Sequence, residues 1–228
     1  MKGRLGLRFR KIGQGATAAT IVDVTDQAPP LRMIRAFPLP DAGALVHLHN
    51  VSGGVLGGDQ LEVVAHVGAG ARAQMTTTGA TRVYRQRADR LPAVQSTHIS
   101  VAPGGLLEYL PDPLIPFADA NFQQRTIVEL SDDAGLFAWD VVTPGREARG
   151  ERFAYDQLHL ETRITVQGRP IAWEQTALYP ARQDLASTVR LGAYRTFATL
   201  LVCRAGLTPA DWRALEEELA QLAAERTA

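Results

Sequence analysis

The sequence predicts a mainly β, single-domain protein over residues 1–228, with one C-terminal α-helix at about 208–226. Three observations carry that expectation. Apolar and polar residues alternate in many short segments, turn formers recur about every ten residues, and one late stretch repeats its apolar residues at helical spacing.

Strand candidates run along most of the chain: Thr17 to Val24, Ala44 to His49, Leu61 to Val67 and Ala71 to Thr77, then Thr97 to Val101, Thr126 to Leu130, Leu136 to Val142 and Leu158 to Val166. Leu61, Val63, Ala65 and Val67 fall at period two, which puts them on one face of a strand. Turns separate the candidates, as at Val67-Gly68-Ala69-Gly70, Ala102-Pro103-Gly104-Gly105 and Gln167-Gly168-Arg169-Pro170. This spacing suits a sandwich, a barrel or a β-solenoid, and no fixed-length repeat selects among them. The segment Asp184 to Cys203 reads as helix or strand, with Thr196, Phe197, Thr199 and Val202 favouring strand. Near the end, Thr208 suits an N-cap, Pro209 the first helical position and Asp211 the third. Trp212, Leu215, Leu219 and Leu222 form its apolar stripe, which is expected to pack back on the β domain.

Composition excludes several classes. With 46% hydrophobic residues the chain is globular rather than disordered. The 24 basic and 24 acidic residues cancel, which disfavours a general nucleic-acid or anionic-membrane binder. Cys203 is the single cysteine, so no intrachain disulfide and no cysteine-rich zinc site can form. No apolar run reaches the length of a signal peptide or a membrane span, and a cytoplasmic protein is expected.

The segment Ser52-Gly53-Gly54-Val55-Leu56-Gly57-Gly58-Asp59 is dense in glycine, which implies left-handed backbone or close approach. No Gly-Lys-Ser/Thr follows, so a nucleotide loop is disfavoured and a tight turn preferred. Gly57 and Gly58 are both expected to resist substitution by valine. His47 and His49 share one strand face and, with Asp59, could supply imidazole and carboxylate to a metal. Glu108, Asp112, Asp119, Asp140 and Glu151 are acids beside apolar stretches, the residue type a carboxylate-pair glycosidase needs. No serine sits in a Gly-x-Ser-x-Gly elbow. Arg82, Arg85, Arg87 and Arg90, with Tyr84, form the basic cluster, either a solvated face or a dock for an acidic protein.

Several blocks read together resemble one family. They are Gly53-Gly54-Val55-Leu56-Gly57-Gly58-Asp59, Gly68-Ala69-Gly70-Ala71, and Thr76-Thr77-Thr78-Gly79-Ala80-Thr81-Arg82-Val83-Tyr84-Arg85. Leu107-Glu108-Tyr109-Leu110-Pro111-Asp112-Pro113, Ile115 to Ala120, Trp139-Asp140 and Gly145 to Phe153 follow in order. The chain resembles the urease accessory proteins called UreD or UreH over roughly residues 3 to 205. The resemblance implies a β-helix-like stack of strands and a non-enzymatic scaffold. Such a scaffold serves GTP-dependent nickel insertion into apo-urease, with a UreF-like helical protein and a UreG-like GTPase, as a dimer within the complex. No tightly bound cofactor is implied, only nickel in transit, with Asp59, Glu108, Glu151, His47 and His49 as candidate transit residues. Family members usually continue through a strand-rich tail after this point, so an uncovered edge and self-association are expected. The rival readings are a β-solenoid carbohydrate-active enzyme using a carboxylate pair, and an interaction module without a metal role.

Overall fold

A computed structural model describes residues 1–86 and 91–227. Arg87 and Arg90 of the basic cluster lie outside the described residues. The strands are β1 (Lys2–Ile12), β2 (Ala19–Ala28), β3 (Leu31–Arg32), β4 (Ala36–Pro38), β5 (Ala44–Asn50), β6 (Gln60–Val67), β7 (Arg72–Thr77) and β8 (Thr81–Val83). They continue as β9 (Ala93–Val101), β10 (Leu106–Leu110), β11 (Leu114–Pro116), β12 (Asn121–Leu130), β13 (Gly135–Val142), β14 (Gln157–Val166), β15 (Arg169–Leu178) and β16 (Phe197–Arg204). The helix α1 (Pro209–Thr227) follows.

These strands form two sheets. The first is ordered β15-β14-β12-β9-β6-β1-β2; its central strands β1, β6, β9, β12 and β14 are parallel, and β2 and β15 close its ends antiparallel. The second contains β3-β5-β7-β10-β13-β11-β8, with β16 antiparallel to β13 and β4 antiparallel to β5. From β6 onward the chain crosses to the second sheet at β7, returns at β9, crosses at β10, returns at β12, crosses at β13 and returns at β14. Each return adds one parallel strand beside the last. The protein is thus mainly β and wound as a coil of strands. Successive turns begin at Gln60, Ala93, Asn121 and Gln157, an uneven spacing that hides the repeat from the sequence.

The core lies between the sheets. Leu5, Leu7, Phe9, Val63, Phe122, Val128, Leu158 and Ile164 face it from the first sheet; Val46, Met75, Leu107, Leu136 and Val142 face it from the second. Parallel registers stack these residues into layers, such as Leu7, Ala65, Ile99, Val128 and Ile164. β1 is a strand that its basic residues obscure, because Arg4, Arg8 and Arg10 point outward while Leu5, Leu7 and Phe9 are buried. The ambiguous region resolves into turns followed by β16.

The cap of α1 forms as expected: the Thr208 hydroxyl and N–H donate to Asp211 Oδ2, at 2.7 and 2.8 Å. Its stripe does not pack on the β domain. Leu219 and Leu222 are 47% and 52% exposed, and only Trp212 and Leu215 are half-buried. The helix leaves β16 at the rim of its sheet and lays no apolar face on either sheet's core.

Candidate functional site

Two core layers of the first sheet are polar. Register places Leu61, Gln95, Gln124, Leu160 and Thr176 in one layer, and Val63, Thr97, Thr126, Thr162 and Glu174 in the next. Opposite them the second sheet presents Tyr109, Asp140 and Thr199, with Asp140 beside Thr199 in register. Two hydrogen bonds cross the interior: Gln124 Nε2 donates to Asp140 Oδ1 at 2.9 Å, and Thr199 Oγ1 donates to Glu174 Oε1 at 2.7 Å. The result is a polar belt through an otherwise apolar core.

Asp140 occupies an inward phase of β13, in sequence with Leu136, Ala138 and Val142. Burial pushes its carboxyl up to about 6; the Gln124 N–H opposes that rise and nearby Glu174 adds to it. Burial, then the Asp140 charge, pushes the Tyr109 hydroxyl up to about 12. The hydroxyl of Thr126 is buried without a hydrogen-bond partner, as is that of Tyr155 outside the belt.

A cavity of about 170 Å³ opens the belt at one end. His49 and Asn50, the turn Thr77 to Arg82, and Asp112 form its mouth, and Gln95, Gln124 and Asp140 form its floor. Beyond Asp140 the space narrows to two gaps of about 10 Å³ each. One lies among Tyr109, Thr126 and Thr162, the other among Thr162, Glu174 and Thr199. Each has room for about one water. A raised carboxyl beside a second acid meets the formal requirement of a glycosidase pair, but gaps this small exclude a sugar ring.

The rim of the mouth is fixed at the glycine-rich turn. The Val55 N–H donates to Arg82 O at 2.8 Å, and the Tyr84 N–H to Val55 O at 2.9 Å. Gly58 has φ +82°, so the conformational demand expected of Gly57 and Gly58 falls on Gly58 alone.

The candidate residues from the sequence lie apart. His47 and His49 do share the strand face opposite Val46 and Leu48. Burial and then His47 hold the His49 imidazole below its ordinary value, leaving it neutral at pH 7. His47 packs against Phe37, with ring centroids 5.5 Å apart. Glu108 lies on the face of β10 opposite the buried Leu107 and Tyr109, away from the interior. Asp59 is buried, pairs with the Met1 amino group at 2.5 Å, and accepts the Leu56 N–H at 2.9 Å. Glu151 accepts Arg146 Nε at 2.8 Å and the Ala118 N–H at 3.0 Å, while the Arg146 guanidinium sits 3.9 Å from the Phe117 ring centroid. Among the described residues no three His, Cys, Asp or Glu gather as a metal cage. Asp140, which the sequence offered only as one of five acids for a carboxylate pair, and Glu174, which it left unassigned, are the ones inside.

Glu151 should reveal its structural part in acid. Arg146 holds its carboxyl below the ordinary 4.5, so its stabilisation is present above that pH and lost as pH falls through the folded value. Urea midpoints across pH 3–7 should therefore fall less steeply in acid for Glu151→Gln than for the parent. Parallel curves would contradict the pairing.

The molecule is a wound stack of mainly parallel strands with a polar belt through its core. The comparison with known families then places the chain. The family described as UreD urease accessory protein matches residues 1–228, and the chain belongs to that family. It is 44% identical over 227 residues to a urease accessory protein UreD of Herpetosiphon aurantiacus, covering all of this chain and 77% of that one. It is 34% identical over 219 residues to one of Opitutus terrae, covering 95% and 79%, and 39% identical over 158 residues to one of Sorangium cellulosum, covering 69% and 49%. The alignment thus takes in about half the length of the Sorangium relative. No described helix is long and apolar enough to cross a membrane.

Proposed function

We propose that this protein is a non-enzymatic scaffold in urease maturation whose interior belt passes Ni²⁺ toward the apoenzyme. In this reading a hydrated ion enters the cavity at the His49 mouth, where imidazole, amide and carboxylate oxygen can replace some of its waters. It then moves past Asp140 to Glu174. Carboxylate, imidazole and water exchange readily on a divalent ion, whereas thiolates would retain it, and the only cysteine stands outside the belt's lining. Delivery would be GTP-dependent, in a cytoplasmic complex with a UreF-like helical protein, a UreG-like GTPase and apo-urease, with the chain present as a dimer. Of the five residues read from the sequence, His49 alone borders the cavity, at its rim, although it shares the outer strand face with His47. His47 and Glu108 lie on the outer sheet face, and Asp59 and Glu151 serve the turns they brace.

The observation that supports the reading is the inward, partly buried Asp140, at a strand phase that packing alone would fill with an apolar residue. The test is nickel content per urease after maturation with the double variant Asp140→Asn/Glu174→Gln. Nickel should fall severalfold while the accessory complex still assembles. Unchanged nickel loading would overturn the reading.

A further inference from the structure

The helix α1 carries a second surface with its own chemistry. Its apolar residues Trp212, Leu215, Leu219 and Leu222 are spaced three, four and three apart, the heptad seam of a coiled coil rather than the broader face of a helix that lies on a core. That seam is open, with Leu219 and Leu222 about half exposed. Ala210, Ala214, Leu219 and Ala220 are strong helix formers, so propensity favours the helical state of the segment.

The flanks of the seam are acidic. Glu216 on one side and Glu218 and Glu225 on the other are exposed, and Asp211 continues the second row. A second copy of α1 is a poor partner. A parallel pair sets Asp211 against Glu216 of the other helix, and an antiparallel pair opposes the same acidic rows to each other. Burying the seam therefore calls for a helix of opposite charge.

We infer that α1 is a docking helix for a partner helix that presents an apolar seam flanked on both sides by Lys or Arg. The apolar seam supplies the contact, and the acidic rows select the partner and exclude self-pairing. This inference stands apart from the nickel route, since no belt residue takes part.

The test uses the full chain and two synthetic peptides of roughly three heptads with the same leucine seam, one with Lys and one with Glu at the flanking positions. In calorimetry the Lys peptide should bind, more weakly as salt rises, and the Glu peptide should not. Leu219→Asp/Leu222→Asp should weaken binding on the order of tenfold or more without shifting the thermal midpoint of the β core. Glu216→Lys/Glu218→Lys/Glu225→Lys should exchange the preference to the Glu peptide. Binding of neither peptide, or of both alike, overturns the proposal. So does slow amide exchange along α1 in the free chain, which would mean its own domain covers the seam. A dimer of the free chain that Leu219→Asp dissolves would identify a second copy as the occupant and overturn it as well.

Discussion

Asp140→Asn should make the protein more stable at pH 7 and worse at nickel delivery. The folded environment raises the Asp140 carboxyl from 3.8 to about 6, so ionising it opposes folding. A raised value means that its favourable contribution is complete below 3.8 and lost as pH rises through about 6. Asparagine keeps an oxygen to accept the Gln124 N–H and carries no charge to desolvate. The gain at pH 7 should be about 1–2 kcal/mol, less than a two-unit shift would give in full, because the cavity admits water. The two proteins should converge near pH 4. Urea unfolding from pH 4 to 8 checks the first half, and nickel per urease the second. Equal stability at every pH would mean that the carboxyl is not buried as described, whereas higher stability with normal delivery would mean that the charge is not used.

Gly54→Val should cost about 3 kcal/mol and unfasten the mouth of the cavity. A Cβ on Gly54 would lie 2.3 Å from Tyr84 Cε2 and 2.8 Å from the Arg82 carbonyl oxygen. The carbonyl is fixed by its hydrogen bond from Val55, and the Tyr84 ring stands edge-on to Phe117 with centroids 5.0 Å apart. Phe117 in turn lies beneath Arg146, which Glu151 holds, so the ring has no slack to yield. Gly53 is the control. Its φ of +79° strains an added side chain, but no atom lies within 4 Å of the position, so Gly53→Ala should cost about 1 kcal/mol. Similar losses in the two variants would show that backbone conformation, not close approach, governs this turn.

What the sequence disclosed was local. The period-two runs such as Leu61 to Val67 and Leu136 to Val142 became β6 and β13, and Thr208, Pro209 and Asp211 marked the start of α1. The meeting of Gln124 with Asp140, and of Thr199 with Glu174, depends on which turn of the coil lies over which. Unequal loops set that stacking, and no short motif encodes it. One signal for the belt was present all the same. Asp140, Gln124, Thr126 and Thr162 each take an inward phase of a strand whose other inward residues are apolar. A polar residue in a core phase marks an interior role more sharply than an acid beside a turn, as Asp59 and Glu151 turned out to be. Glu174 carried no such signal, because β15 exposes Ile171 and Trp173 and does not read as a strand with a core face. The helix stripe was visible but its destination was not, because spacing gives the width of an apolar face and not what meets it.

The winding also dictates how such a chain must be made. The inner parallel strands of the first sheet, β6, β9 and β12, pair with strands one full turn away and not with their immediate successors; only the end pairs β1-β2 and β14-β15 join strands consecutive in the chain. Those end pairs cannot seed the inner strands, whose pairing must follow closure of a long loop, so folding is slow and favours growth onto a turn already formed. The central strands β6, β9 and β12 gain a neighbour on both sides, whereas β15 and β16 are held on one side only. A growing chain therefore reaches its last strands with the belt already roofed over but its Glu174 end still unlatched. Opening at that end can occur as local fraying that leaves the rest of the stack intact.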